Sequence, residues 1–268
     1  MKKKTKVLAG AIMLMTLSTA AAITGTVAWF TASNTVNISG MQIQAEAEEG
    51  IVVSNEGKAA WGTEATASHN GAGSTYVPTS TSELTTWYHG LSNSVNDGQS
   101  GVSYTTLTVT ATNGIGAATV GDATKNVYLL NSFYIQSSSP NAITGQDIYL
   151  KDLTVTGASV STELNKALRV GILHDTTATI FAPITGATAN YTVHDGNDVA
   201  AVTDTTGTSA VVGSNVSIPA YVAAGTNALE FKVFIYFEGE DAACKSANIT
   251  ATLDTLALTF KFGNKEHA

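Results

Sequence analysis

A period of two in the positions of large apolar residues recurs along this chain and limits its fold more than any other feature. The clearest segments are "LEFKVFIYFEG" (229–239) and "TLALTFKFG" (255–263). A period of two places alternate side chains on opposite faces of a β-strand. The apolar residues predicted to share one face in each segment are Leu229, Phe231, Val233, Ile235 and Phe237, and then Leu256, Leu258, Phe260 and Phe262. We therefore predict an all-β protein.

Two further segments show the same period with one irregularity each. In "NVYLLNSFYIQ" the polar Asn131 falls on the face formed by Val127, Leu129, Phe133 and Ile135. In "DIYLKDLTVTG" the pattern of Ile148 and Leu150 resumes one residue late, at Leu153 and Val155. A slip at residues 151–152 predicts a β-bulge or a tight turn.

Turn-forming clusters such as "NDGQSG", "TNGIG" and "HDGND" separate the alternating segments. Many short strands divided in this way favour a single β-sandwich, jelly-roll-like or Greek-key, over residues 41–268. Residues 62–100 are rich in Ser, Thr, Asn and Gly, and we expect long loops there. The segment "STELNKALR", with Leu164 and Leu168 four apart, predicts a short helix or a turn before a strand.

The chain begins with a basic cluster, MKKKTK, followed by 24 uncharged residues from Val7 to Phe30. A basic start, an apolar run and nearby small residues are typical of a secretory signal peptide, here predicted as a signal helix over residues 1–28. Cleavage is expected after Ala28, before Trp29, and a second small-x-small site ends at Ala22. Because the run is long enough to span a bilayer, an uncleaved membrane anchor is the alternative.

Cleavage after residue 28 would leave a strongly acidic protein. The leader carries four of the 13 basic residues and none of the 21 acidic ones, so the remainder has a net charge of −12. Such a charge does not suit binding to nucleic acid or to an anionic membrane. The single cysteine, Cys244, excludes a disulfide within the chain, and its expected role is that of a small buried apolar residue.

The residues after the expected cleavage site also alternate. Val36 and Ile38 share one face, and the phase changes at Ser39–Gly40 before "MQIQAEA" continues the pattern. Glycine permits a bend at low cost. We therefore predict an N-terminal strand, a hinge at Ser39 and Gly40, and a second strand that leads into "GIVVS".

Two parts of the chain resemble a known family. The start, "KKK…LAG…GTVAWFTAS…V.ISGMQIQ" followed by "GIVVSNEG..AW", resembles the SipW-dependent leaders of the TasA/camelysin family of secreted fibre proteins from Gram-positive bacteria. Near the C-terminus, "FIYFEGEDAACKSANI…LTFKF" is similar to a pattern of surface proteins with such leaders. Tyr236 and Phe237 stand where that pattern frequently has Trp, and the pattern has no defined activity.

The resemblance implies a secreted subunit of extracellular fibres or pili in a biofilm matrix, released by a dedicated signal peptidase. Residues 29–40 would be a donor strand that enters a groove in the next subunit, building a head-to-tail homopolymer. The donor-strand contacts would be Trp29, Phe30, Val36 and Ile38. The alternative is a monomeric surface domain, held at the membrane by its uncleaved leader, which pairs the strand within itself and binds a glycan or host ligand.

Little in the sequence points to catalysis, and we expect a protein that is not an enzyme. The camelysin name carries a claim of zinc protease activity, but the chain has no HExxH motif. Its five histidines are dispersed: His69, His89, His174, His194 and His267. No cofactor is expected, although Glu238, Glu240 and Asp241 after a strand are a weak candidate for a Ca²⁺ site, with a solvated acidic turn as the favoured interpretation.

Overall fold

The computed structural model describes residues 36–38, 40–92, 102–140, 146–156, 166–183, 199–200, 216–239 and 256–266. The expected leader, the cleavage site after Ala28, and the donor residues Trp29 and Phe30 lie outside the described residues. So do Ser39 of the expected hinge and the residues Glu240, Asp241 and Cys244. Within the described ranges, no helix is long and apolar enough to cross a membrane.

The described chain consists of β-strands joined by turns. In order these are β1 (Val36–Ile38), β2 (Met41–Ala47), β3 (Ile51–Asn55), β4 (Glu64–Thr66), β5 (Ser74–Tyr76), β6 (Trp87–Ser92), β7 (Val102–Leu107), β8 (Thr110–Thr112), β9 (Ile115–Val120), β10 (Ala123–Ser137), β11 (Gln146–Thr156), β12 (Leu168–His174), β13 (Thr177–Ala182), β14 (Val199–Ala200), β15 (Leu229–Phe237) and β16 (Leu256–Glu266).

Two sheets form a sandwich, and a hairpin lies beside them. The large sheet has ten strands along the path β1-β5-β10-β15-β12-β13-β14, with β3 and β9 also paired to β10 and β8 paired to β9. The small sheet has the order β11-β16-β2-β4. Strands β6 and β7 form the antiparallel hairpin. The predicted all-β sandwich is confirmed.

The alternating segments build the core between the sheets. Strand β15 of the large sheet and strand β16 of the small sheet direct their predicted apolar faces toward each other. These residues are almost wholly buried: Phe231, Val233, Ile235, Phe237, Leu256, Leu258, Phe260 and Phe262. Because each strand has one face turned to this core, the period-two pattern was visible in the sequence.

The predicted irregularity in β11 is a β-bulge. Its pairing with β16 shifts register between Leu150 and Asp152, as the sequence slip indicated. The extra residue allows Leu150 and Leu153 to remain buried in the same core. The side chain of Lys151 forms an ion pair with the carboxylate of Glu48.

The prediction for Val127 was wrong. It was placed on the face of Leu129, but it packs in a second apolar cluster on the other side of the large sheet. The pairing of β10 with β9 shifts register between Asn126 and Tyr128, which moves Val127 out of phase.

The prediction of long loops over residues 62–100 was also wrong for the part the structure describes, which ends at residue 92. This part contains β4, β5 and β6. Strand β4 belongs to the small sheet and β5 to the large sheet, while Leu84 and Trp87 pack in the apolar cluster on the outer face of the large sheet. Trp87 is 2% exposed and its ring centroid lies 4.7 Å from that of Tyr128 and 4.9 Å from that of Tyr236. Because only a few residues of this polar segment, such as Trp87, are buried, its sequence shows no regular alternation that would indicate strands.

The helix considered for "STELNKALR" is not present at Leu168. A short 3₁₀ turn at residues 166–167 leads directly into β12, where Leu168 is buried opposite Phe237. A turn before a strand, the other possibility, describes this part correctly.

Candidate assembly site at the N-terminal strand

Strand β1 lies at one end of the large sheet and pairs with β5 of the same chain. The pairing is antiparallel, with Val36 opposite Tyr76, Asn37 opposite Thr75 and Ile38 opposite Ser74. Of the expected donor residues in the described part, Val36 is wholly buried in the core of the sandwich. In the single chain, therefore, β1 completes the sheet and the core of its own domain.

The expected hinge coincides with a crossing between sheets. Strand β1 belongs to the large sheet and β2 to the small sheet, and only two residues separate them. Gly40 is buried and has a φ of +130°, a conformation that glycine adopts far more readily than other residues. The backbone N–H of Met41 then donates to the carbonyl of Asn70 at 2.8 Å.

The segment of residues 67–76, which ends in β5, receives β1, and we call it the seat. It is tied to β2 by the N–H of Ala67, which donates to the carbonyl of Ile43 at 2.9 Å. It is tied to β10 by a parallel bridge between Tyr76 and Asn126. These bonds do not involve β1, so they hold the seat in place independently of that strand.

A buried amide provides the strongest anchor of the seat. The Asn131 side chain is 1% exposed; its Oδ1 accepts from the backbone N–H of His69 at 2.9 Å, and its Nδ2 donates to the His69 carbonyl at 2.9 Å. The amide thus acts as a strand partner for one residue of the seat. The sequence pattern places Asn131 on an apolar face, but its partner His69 lies 62 residues away and leaves no local signal.

A cleft of about 570 Å³ opens beside the seat and the crossing. Its lining is mostly uncharged and combines apolar, amide and hydroxyl side chains. The lining residues are Met41, Gln42, Ile43, Gln44, Thr66, Ala67, Ser68, His69, Asn70, Gly71, Ala72, Ser74, Asn113, Ile115 and Leu129. No sequence pattern pointed to this cleft, because it is formed by segments from four separate parts of the chain.

A second cleft, of about 770 Å³, is acidic. Glu46, Glu48, Glu49 and Glu64 line it together with Lys261. Glu46 lies opposite Glu64 on one side and Lys261 on the other in the small sheet. Adjacent like charges disfavour anions in this cleft.

The interpretation of Glu238 as part of a solvated turn was wrong. Glu238 is wholly buried, and its carboxylate accepts a hydrogen bond from the Ser80 hydroxyl. Its N–H donates to the carbonyl of Ala167 at 2.7 Å. The other two residues considered for Ca²⁺, Glu240 and Asp241, lie outside the described part.

The three histidines in the described residues lie in different places. His69 contacts Glu56 at 3.2 Å, the Nδ1 of His89 donates to the Pro78 carbonyl at 3.1 Å, and His174 stacks on Phe231. Among the described residues, no group of three His, Cys, Asp or Glu side chains is arranged to hold a metal ion. His194 and His267 lie outside this part.

Burial raises the pKa of three tyrosines, Tyr76, Tyr128 and Tyr134, and a carboxylate adds to the effect at Tyr134. Burial raises the pKa of Tyr76 in the seat above its ordinary value of 10. Burial, together with the carboxylate of Glu230 at 3.0 Å, raises the pKa of Tyr134 to about 12. In all three cases the neutral phenol is favoured, so none of these side chains is an acid or base for chemistry near neutral pH.

Comparisons with protein-family models, with curated proteins and with solved structures find no match to this chain.

Proposed function

We propose that this protein is a secreted structural subunit that is cut after Ala28 and polymerises by donating its N-terminal strand to a neighbouring subunit. The polymer would be an extracellular fibre or pilus of the cell surface or biofilm matrix, as the resemblance to TasA/camelysin proteins implies. The observation that carries the proposal is the position of β1, a three-residue end strand in an independently anchored seat.

The contacts of β1 can be made by the same strand of another copy. Its pairing with β5 and the burial of Val36 involve nothing that requires both partners to be in one chain. An exchange of identical elements between copies is a low-cost route to association. If each copy donates to the next and the rotation does not close, the product is an open filament.

The energy that holds β1 in its own chain is small enough to allow release. Burial of one valine side chain contributes about 1.5–3 kcal/mol. A few backbone hydrogen bonds contribute roughly 1 kcal/mol each. Vacating the seat thus costs several kcal/mol, and occupation by a neighbour's strand recovers that amount. Before cleavage, the leader would hold the strand at the membrane and prevent donation.

A cysteine pair across β1 and β5 tests the proposal. Asn37 and Thr75 are directly opposite each other. Opposed residues of an antiparallel pair have Cα atoms about 4.5–5.5 Å apart, within the range for a disulfide. Asn37→Cys and Thr75→Cys would be combined in the 29–268 chain with Cys244→Ser, which removes the native thiol.

We expect monomers oxidised before assembly to form no fibres in electron microscopy, because the strand is held in its own chain. Reduction should restore fibres, and reoxidation of those fibres should give a ladder of linked subunits on a non-reducing gel. Chains with Thr75→Cys alone should assemble in both conditions. Fibres from oxidised monomers, or reoxidised fibres that yield only single chains, would place the assembly contact elsewhere.

The second candidate is the monomeric surface domain anchored by an uncleaved leader, with a glycan or host molecule as its ligand. The pairing of β1 within its own chain favours it. Well-folded monomers under all conditions of the cysteine experiment would support this alternative and refute polymerisation.

A further inference from the structure

The crossing from β1 in the large sheet to β2 in the small sheet is short. Three Cα–Cα steps lead from Ile38 to Met41 and span at most about 11 Å. Sheets packed face to face lie about 10 Å apart. A chain that must cross this gap in so few residues has little freedom in its backbone angles.

Gly40 supplies the unusual backbone angle at this crossing. Its φ of +130° is strained for residues with a side chain. A Cβ at this position would also lie 3.3 Å from the Cβ of Ala72, which is a tight contact within the seat. Both effects belong to the closed subunit, in which β1 and β2 are in different sheets of one chain.

An exchanged subunit does not share this requirement. When β1 pairs with a neighbour, residues 38–41 no longer cross between two sheets of one chain within a fixed distance. The link can then take extended angles that every residue adopts. A residue that disfavours the backbone angle at position 40 therefore raises the free energy of the closed form and not that of the exchanged form.

We infer that Gly40 is a conformational latch that keeps the subunit closed and so limits when strands are exchanged. This inference rests on the proposed function. A glycine allows closure without strain, and any other residue penalises the closed form alone. Substitution shifts the balance toward exchange, by roughly tenfold to a hundredfold for the usual cost of such strain.

The test compares Gly40→Ala with Gly121→Ala in the 29–268 chain. Gly121 also has a positive φ, +62°, but it lies in the turn between β9 and β10 with no atom within 4 Å of an added Cβ. It controls for general loss of stability. The measured quantity is the monomer concentration that coexists with exchanged species, from size-exclusion chromatography and electron microscopy.

We expect Gly40→Ala to lower this concentration at least tenfold and Gly121→Ala to change it less than twofold. Gly40→Ala combined with Ala72→Gly, which removes the tight Cβ contact but keeps the strained φ, should fall between them and serves if Gly40→Ala alone does not fold. Equal effects of the alanine substitutions at Gly40 and Gly121, or no change at Gly40, would overturn the latch.

The outcomes separate this inference from the proposed function. If the Asn37→Cys/Thr75→Cys chain with native Gly40 gives linked ladders, and Gly40→Ala leaves the monomer concentration unchanged, strand donation is supported and the latch is refuted. Exchanged dimers that appear only with Gly40→Ala would support the latch and argue against fibres as the natural state. The absence of exchanged species from every variant would refute both.

Discussion

Removal of the Asn131 amide tests how strongly the seat is anchored. Asn131→Leu keeps the branching and approximate volume of the side chain on an apolar face, so it removes the two hydrogen bonds to His69 without opening a large cavity. Each lost bond costs roughly 1 kcal/mol, and a backbone group left partly buried without a partner adds to this. We expect a loss of about 2–4 kcal/mol in the free energy of unfolding.

Asn55 offers a matched control in the same domain. Its side chain also makes two bonds to the backbone, accepting from the N–H of Gly57 at 3.3 Å and donating to the carbonyl of Thr66 at 3.1 Å. Both bonds are exposed, so water can replace them. Asn55→Leu should therefore cost about 1 kcal/mol or less.

Urea unfolding of the 29–268 chain, followed by tryptophan fluorescence, measures the difference, since Trp87 is buried and reports on folding. The slope of the unfolding free energy against urea concentration should stay constant, while the urea concentration at the midpoint of unfolding falls. Equal losses from Asn131→Leu and Asn55→Leu would refute the assignment of Asn131 as the anchor of the seat.

Three further outcomes follow from the packing and the pKa values. Gly171→Ala would place a Cβ in steric conflict with the Leu84 side chain, so we expect a loss of about 1–3 kcal/mol in the free energy of unfolding measured in urea. The loss should be smaller when Leu84→Ala is added. Burial lowers the pKa of His89 in spite of its backbone hydrogen bond. Below about pH 6.5 the unfolded chain takes up a proton at this residue before the folded chain does, so the stability of the fold should decrease as the pH falls. The melting temperature of His89→Gln should decrease less over the same range. In a pH titration followed by tyrosinate absorbance, one tyrosine should ionise with a midpoint of about 12. This transition should be absent in Tyr134→Phe and should move toward 10 in Glu230→Gln. Identical titration curves for the unsubstituted protein and both variants would contradict the assignment to Tyr134.

Much of the sandwich could be predicted from local patterns. The inner faces of β15 and β16 and the bulge in β11 were read correctly, because each strand carries its own period of two. The bend expected at Gly40 is a crossing between sheets, and its positive φ fits a residue without a side chain. Here the chemistry of a single residue was sufficient.

The sequence by itself determined that β10, β11, β15 and β16 are strands and which face of β15 and β16 turns to the core, since both follow from neighbours along the chain. The tertiary structure alone decided that β1 pairs with β5, that Asn131 holds His69 and that Glu238 is buried beside Ser80. These contacts join residues tens of positions apart and leave no local period. Partner choice depends on which surfaces remain uncovered when the sheets pack, and that is a property of the assembled domain.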